Sequence, residues 1–228
     1  MYCHVCFEPI NESIIWGNFF TISTRKICYS CEAKLIRLTN QPYLCEKCMK
    51  PMQNDEPICG DCLAWGDRLN EDPIYKNISI FMYDNFMKDL MTKFKYRGDY
   101  EIIYIFEKEI KMTFQTYFSK KRLSIVPIPL SSERKKERGF NQAEAIAQFF
   151  NQPIKSILTR KSSEKQSKKS KVERIFSENP FQLKNIEPLE DVLLVDDLYT
   201  TGTTLRQAAN LLKQIGAKTI YSFTLIRS

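Results

Sequence analysis

All eight cysteines of this 228-residue chain lie within its first 62 positions, and every one belongs to a C-x-x-C pair. The pairs are Cys3/Cys6, Cys28/Cys31, Cys45/Cys48 and Cys59/Cys62. A tight turn over two residues points both sulfurs at one ion. Two such turns supply four thiolates in a tetrahedron, which Zn²⁺ accepts without strain. Disulfides need an oxidising compartment, and Met1–Cys6 has no basic segment followed by an apolar one. A redox C-x-x-C is expected once, at a helix start, and iron–sulfur ligands follow other spacings. Eight ligands imply two zinc ions. Sequential grouping, with Cys3, Cys6, Cys28 and Cys31 on one and Cys45, Cys48, Cys59 and Cys62 on the other, is favoured. An interleaved cross-brace satisfies the same spacing. His4, inside the first turn, is expected to face solvent.

A segment of about 70 residues with few long apolar runs buries too little to hold itself together. A closed four-thiolate zinc site contributes on the order of 10–16 kcal/mol to folding, so both ions are expected to be structural. Gly66–Pro73 reads as a linker, which divides the chain into a double zinc-ribbon module over 1–70 and a larger domain over 74–228.

Charge is uneven. Residues 155–174 hold eight basic and two acidic groups, and the whole chain carries +7. Such a field suits phosphate-bearing partners. The longest apolar runs, such as Val192–Val195, are far too short to cross a bilayer. The sequence therefore predicts a cytoplasmic protein without membrane insertion.

Beyond the cysteines the pattern alternates. Strands are expected at 77–83, Leu123–Val126, 191–196 and Thr219–Ile226, and helices at 86–96, 101–118, 141–150 and Thr203–Ile215. Residues 155–174 read as a polar, mobile stretch. Strands alternating with helices predict an α/β domain built on a parallel sheet.

The most specific segment runs from Val192 to Leu205. An apolar strand ends in Asp196 and Asp197, and Thr200, Thr201, Gly202, Thr203 and Thr204 lead into a helix. Ligands of such sheets bind at the carboxyl ends of strands. Loop amides and a helix N-terminus can cradle a phosphate there. The two carboxylates are then placed to accept from sugar hydroxyls or to help hold Mg²⁺. A capping threonine beside an incidental acidic pair is the plainer alternative, but four threonines around one glycine exceed what a cap needs. The nucleotide-binding pattern G-x-x-x-x-G-K-[ST] is absent.

The Asp196–Thr204 stretch resembles the phosphoribosyl pyrophosphate (PRPP) motif of type I phosphoribosyltransferases. Together with the cysteine pairs, Phe94–Asp99, Val126–Leu130 and Arg134–Gln142, it resembles the ComF family of bacterial competence proteins. The resemblance implies a type I phosphoribosyltransferase-like fold that binds PRPP with Mg²⁺. It implies Arg134 and Arg138 as pyrophosphate ligands, and a closing loop that includes Gln166 and Arg174. It further implies a role in the handling of single-stranded DNA during natural transformation, beside a helicase-like ATPase. An active phosphoribosyltransferase with an unidentified acceptor is the alternative, and a zinc-ribbon adaptor without ligand binding is a third.

Overall fold

The computed structural model describes residues 1–10, 25–69, 71–96, 99–161, 179–184 and 189–228. Its centre is a four-stranded parallel sheet of β1 (Lys76–Met82), β2 (Leu123–Pro127), β5 (Asp191–Tyr199) and β6 (Thr219–Arg227), in the order β1-β6-β5-β2. The mixed α/β architecture with a parallel central sheet agrees with the sequence. β5 lies in the interior of this sheet, and Val192, Leu193, Leu194 and Val195 are fully buried. That burial on both faces is why its sequence is a continuous apolar run rather than an alternation.

The period of two sorts these side chains between two cores. Leu193 and Val195 join one core with α3 (Asn85–Tyr96), α4 (Glu107–Phe118) and α6 (Gln142–Ala147). Val192 and Leu194 join the other, with α7 (Thr203–Gln214) and the hairpin of β3 (Leu158–Arg160) and β4 (Phe181–Leu183). Each core also receives cysteines. Cys3 and Cys31 pack into the first, and Cys45, Cys48, Cys59 and Cys62 into the second. The remaining α-helices among the described residues are α1 (Tyr29–Glu32), α2 (Gly60–Leu69) and α5 (Ser132–Arg138).

Three local readings are corrected. A 3₁₀ turn over Tyr100–Phe106 precedes α4, where one helix over 101–118 is expected. The presumed linker at Gly66–Pro73 is partly α2, and Pro73 is buried. The start of the basic stretch is ordered, because Ile157 and Leu158 have a core to enter, with 1% and 5% exposure. Both sheet edges are covered. Met82 N–H donates to Ile36 O at 2.8 Å beside β1, and Lys155 N–H donates to Ile125 O at 2.8 Å beside β2.

Candidate functional site

β5 does not stop at the first carboxylate. Asp196, Leu198 and Tyr199 still pair with Thr224, Ile226 and Arg227 of β6, so the strand carries both aspartates. Alternation starts them toward opposite sides, yet at the strand end their carboxyls remain close enough to interact directly. Asp197 turns toward α3, where Lys95 Nζ pairs with its Oδ2, and both side chains are mostly buried. Asp196 turns toward the hairpin, where Arg160 at the end of β3 feels its charge. Burial first, and then the adjacent Asp197 carboxylate, push Asp196 up to about 8, against the pull of Lys95. Arg160 is itself lowered, mainly by burial and then by the neighbouring Arg134. The carboxyl end of β5 thus holds two acidic groups, with Lys95 paired to one and Arg160 within reach of the other's charge, and with Arg134 close enough to Arg160 to repel it.

The loop after β5 has open threonines on a rigid base. Thr200, Thr201 and Thr203 are exposed, and the hydroxyls of Thr201 and Thr203 lie 2.8 Å apart. Gly202 caps α7 with φ 76°, the left-handed region that favours glycine. A Cβ there would also collide with Arg206 Nη1 and the Tyr199 ring. Beneath the loop, Arg206 Nη1 donates to Tyr199 Oη at 2.8 Å and to Thr201 O at 3.3 Å. Trp65 Nε1 from α2 donates to Thr201 O at 2.9 Å. Arg227 Nη1 donates to Thr200 O at 3.0 Å and to Tyr199 O at 3.3 Å. In a planar trans peptide the C=O and the following N–H point in opposite directions. Carbonyls 199–201 held against buried cations therefore turn the amides of 200–202 away from them. Amides presented in this way beside the α7 N-terminus suit an anion.

A family model described as "Phosphoribosyl transferase domain" matches residues 106–228, which include the whole β5–loop–α7 unit. "Competence protein ComFC" of Bacillus subtilis is 40% identical over 233 residues, covering 100% of this chain and 95% of that protein. This chain belongs to the ComF family. The Streptococcus pneumoniae "Competence protein ComFC" is 28% identical, with 100% of both chains covered. "DNA utilization protein YhgH" of Salmonella typhimurium is 26% identical over 99% of this chain and 96% of its own length.

The ComF-family cysteines fall into two groups, Cys3/Cys6/Cys28/Cys31 and Cys45/Cys48/Cys59/Cys62, with the sulfurs of each within 4.8 Å of one another. This is the sequential grouping, and none of the eight cysteines forms a disulfide. The turns have the form metal knuckles require. Met49 N–H returns to Cys45 O at 2.8 Å and Phe7 N–H to Cys3 O at 2.9 Å, with Met49 and Phe7 at φ 58° and 62°. Backbone amides also aim at sulfur, as Cys59 N–H does at Cys45 Sγ, 3.3 Å away. Four thiols so crowded cannot all ionise unaided. Hydrogen bonding from Cys48 and Cys62 pulls Cys45 far down, while Cys62 is driven far up. A divalent cation resolves that conflict, so both groups could hold a metal ion. His4 stands outside both, with Nδ1 3.1 Å from Glu101 O.

The other expected residues are distributed. Asp196, Asp197 and Thr200–Thr204 lie together. Arg134 is exposed on α5, whose N-cap Ser131 Oγ accepts from Arg134 N–H at 3.3 Å. Arg138 is buried and donates through Nη1 to Gln142 Oε1 at 3.0 Å. Asn141 accepts from Ala143 N–H and donates to Ile128 O, each at 3.0 Å, tying α6 to the Val126–Leu130 turn. Asn141 of the Arg134–Gln142 motif therefore braces this turn. Gln166 and Arg174 lie outside the described residues. Lys95 and Arg160 are additional site residues that sequence reasoning does not single out. Lys95 sits within the quoted Phe94–Asp99 motif without an assigned role, and Arg160 is one of eight similar cations between 155 and 174.

Proposed function

We propose that this ComF-family chain binds PRPP with Mg²⁺ at the carboxyl end of β5 and serves natural transformation by handling incoming single-stranded DNA. One observation carries the ligand reading. Two carboxylates, the cations Lys95 and Arg160, and a glycine-capped threonine loop converge at one strand end. In this reading the loop amides and threonine hydroxyls take the 5′-phosphate, and Asp196 and Asp197 take the ribose hydroxyls. Oxygen donors of this kind also suit Mg²⁺, while Lys95, Arg134 and Arg160 face the pyrophosphate charge. The eight sulfurs are the donor set of two structural zinc ions.

The competence role rests on the names borne by the relatives. The chain would then work in the cytoplasm beside a helicase-like ATPase that supplies the motor. No helix among the described residues is long and apolar enough to cross a membrane. The basic 155–174 segment, largely outside the described residues, is the proposed contact for DNA phosphates. Its neutralisation should flatten the salt dependence of oligonucleotide binding.

Calorimetric titration of the zinc-loaded protein with PRPP and Mg²⁺ tests the ligand reading. Heat of binding that Asp196→Asn/Asp197→Asn reduces at least tenfold supports it. A folded wild type that releases no heat rejects it.

The match over residues 106–228 favours a second reading, transfer of ribose 5-phosphate to an acceptor. An acceptor nucleophile would attack C1′ as the C1′–O bond to pyrophosphate breaks, with the cations stabilising the departing charge. Acceptor-dependent pyrophosphate release, lost in the double asparagine variant, is the expected sign. A broad acceptor screen without release would remove this reading.

A further inference from the structure

Arg227 touches two sites at once. It is the last residue of β6 and is 2% exposed. Its Nη1 grips Thr200 O and Tyr199 O of the phosphate loop, at 3.0 and 3.3 Å. Its other edge grips a cysteine of the second sulfur group, with Nε donating to Cys48 O at 3.1 Å and Nη2 to Cys48 Sγ at 3.4 Å. A guanidinium is planar and rigid, so its two edges cannot adjust independently.

Both ends are built in. The sheet face under Cys48 is polar where a core strand would be apolar. Asn77, Ser79, Ser222 and Thr224 are buried there at 0–2% exposure. Asn77 Nδ2 donates to Cys48 O at 3.4 Å, and Ser222 Oγ donates to Asn77 Oδ1 at 2.9 Å. At the loop end, the Arg227 guanidinium stacks 4.8 Å from the Tyr199 ring, whose Oη receives Arg206. The first sulfur group belongs to the opposite core and has no comparable bridge among the described contacts to the loop.

We infer that Arg227 is a positioning residue through which metal at Cys45/Cys48/Cys59/Cys62 sets the anion-binding shape of Tyr199–Gly202. Metal at this group and PRPP at the loop then favour one another, a coupling that rests on the PRPP reading above. A bound cation would hold the Cys48 sulfur and carbonyl in place for the guanidinium. Without one, the anchored edge of the guanidinium loosens, and with it the carbonyls that orient the loop amides. Coupling of binding equilibria is reciprocal, so the effect is readable from either ligand.

The test is an equilibrium competition for zinc against a chromophoric chelator, with and without PRPP and Mg²⁺. Wild type and Arg227→Lys are compared, and Cys6→Ser assigns the release step of the first group. PRPP should tighten zinc at the second group about fivefold or more, the lower end of typical coupling. The first group should not respond. Arg227→Lys keeps the charge but cannot span both ends, so it should bind zinc and lose the effect. Equal tightening at both groups, or a gain that survives Arg227→Lys, would mean only general stabilisation and would overturn the inference. So would PRPP binding with no change in zinc affinity. If calorimetry shows no PRPP binding, the ligand reading fails on its own. Hydrogen exchange of wild type then decides the coupling. The Ser228 amide, which donates to Tyr199 O at 3.0 Å, and the Arg206 amide, which donates to Gly202 O at 3.0 Å, should exchange at least fivefold faster when the second group is emptied, with 192–195 still protected. Unchanged exchange at these two amides, or protection lost throughout the sheet, would overturn it.

Discussion

Asp72 accepts both arms of Arg206, Nε to Oδ1 at 3.1 Å and Nη2 to Oδ2 at 2.7 Å. The two side chains are only 6% and 3% exposed, and Arg206 lies directly beneath the threonine loop. Asp72 follows α2, so this pair fastens the cysteine-rich part of the chain to the ligand loop. Asp72→Asn leaves a buried guanidinium without its counter-charge. A loss of about 3–5 kcal/mol is expected, as for other broken buried pairs. Urea unfolding of the zinc-loaded variant measures it, and a change under 1 kcal/mol would show that Thr201 O and Tyr199 Oη suffice to hold Arg206.

The raised pKa of Asp196 makes stability depend on pH in a defined direction. Folded Asp196 holds its proton to about 8, whereas an unfolded aspartate releases it near 4. The folded state therefore binds more protons between those values. The stability this proton confers is full below the unfolded value and is lost as pH rises through the folded one. Asp196→Asn removes the dependence. The variant should gain on wild type between pH 6 and pH 9 in paired urea titrations of ligand-free protein. Parallel curves would mean that Asp196 titrates as an ordinary carboxyl.

Lys95 opposes that shift from the far side of the strand. It pairs with Asp197, and its charge lowers the pKa of Asp196. Lys95→Gln should raise the Asp196 midpoint further, as followed by carboxyl carbon shifts in NMR. It should also weaken PRPP binding by removing a cation from the pyrophosphate side. An unmoved midpoint would separate Lys95 from the acidic pair.

What the sequence reveals here is what repeats or runs locally. The four C-x-x-C turns, the apolar run of β5 and the crowded threonines each sit within a dozen residues, so spacing alone marks them. The end of β5 does not. Asp197, Leu198 and Tyr199 look like the start of a loop, and they stay extended because β6 runs beside them to Arg227. The braces are less visible still. Asp72 and Arg206 are 134 positions apart, and Cys48 and Arg227 are 179 apart. Asp72, Arg206 and Arg227 each have an ordinary solvated interpretation until the sheet brings the partner alongside. Arg160 is hidden for a different reason, since one cation among many similar ones carries no local mark.

Gly202 joins the local signal to the distant braces. Its φ of 76° already disfavours any side chain, and the space a Cβ would need is taken by the Tyr199 ring and the Arg206 guanidinium. Neither neighbour is free to move. Tyr199 is packed under Arg227, and Arg206 is held by Asp72. Gly202→Ala therefore has to displace the loop rather than its surroundings, at a cost of about 1–3 kcal/mol for the backbone conformation alone. PRPP affinity should fall at least tenfold, while zinc content and the far-UV spectrum remain those of wild type. Affinity kept within twofold of wild type would mean that the threonine hydroxyls, not the loop amides, hold the phosphate.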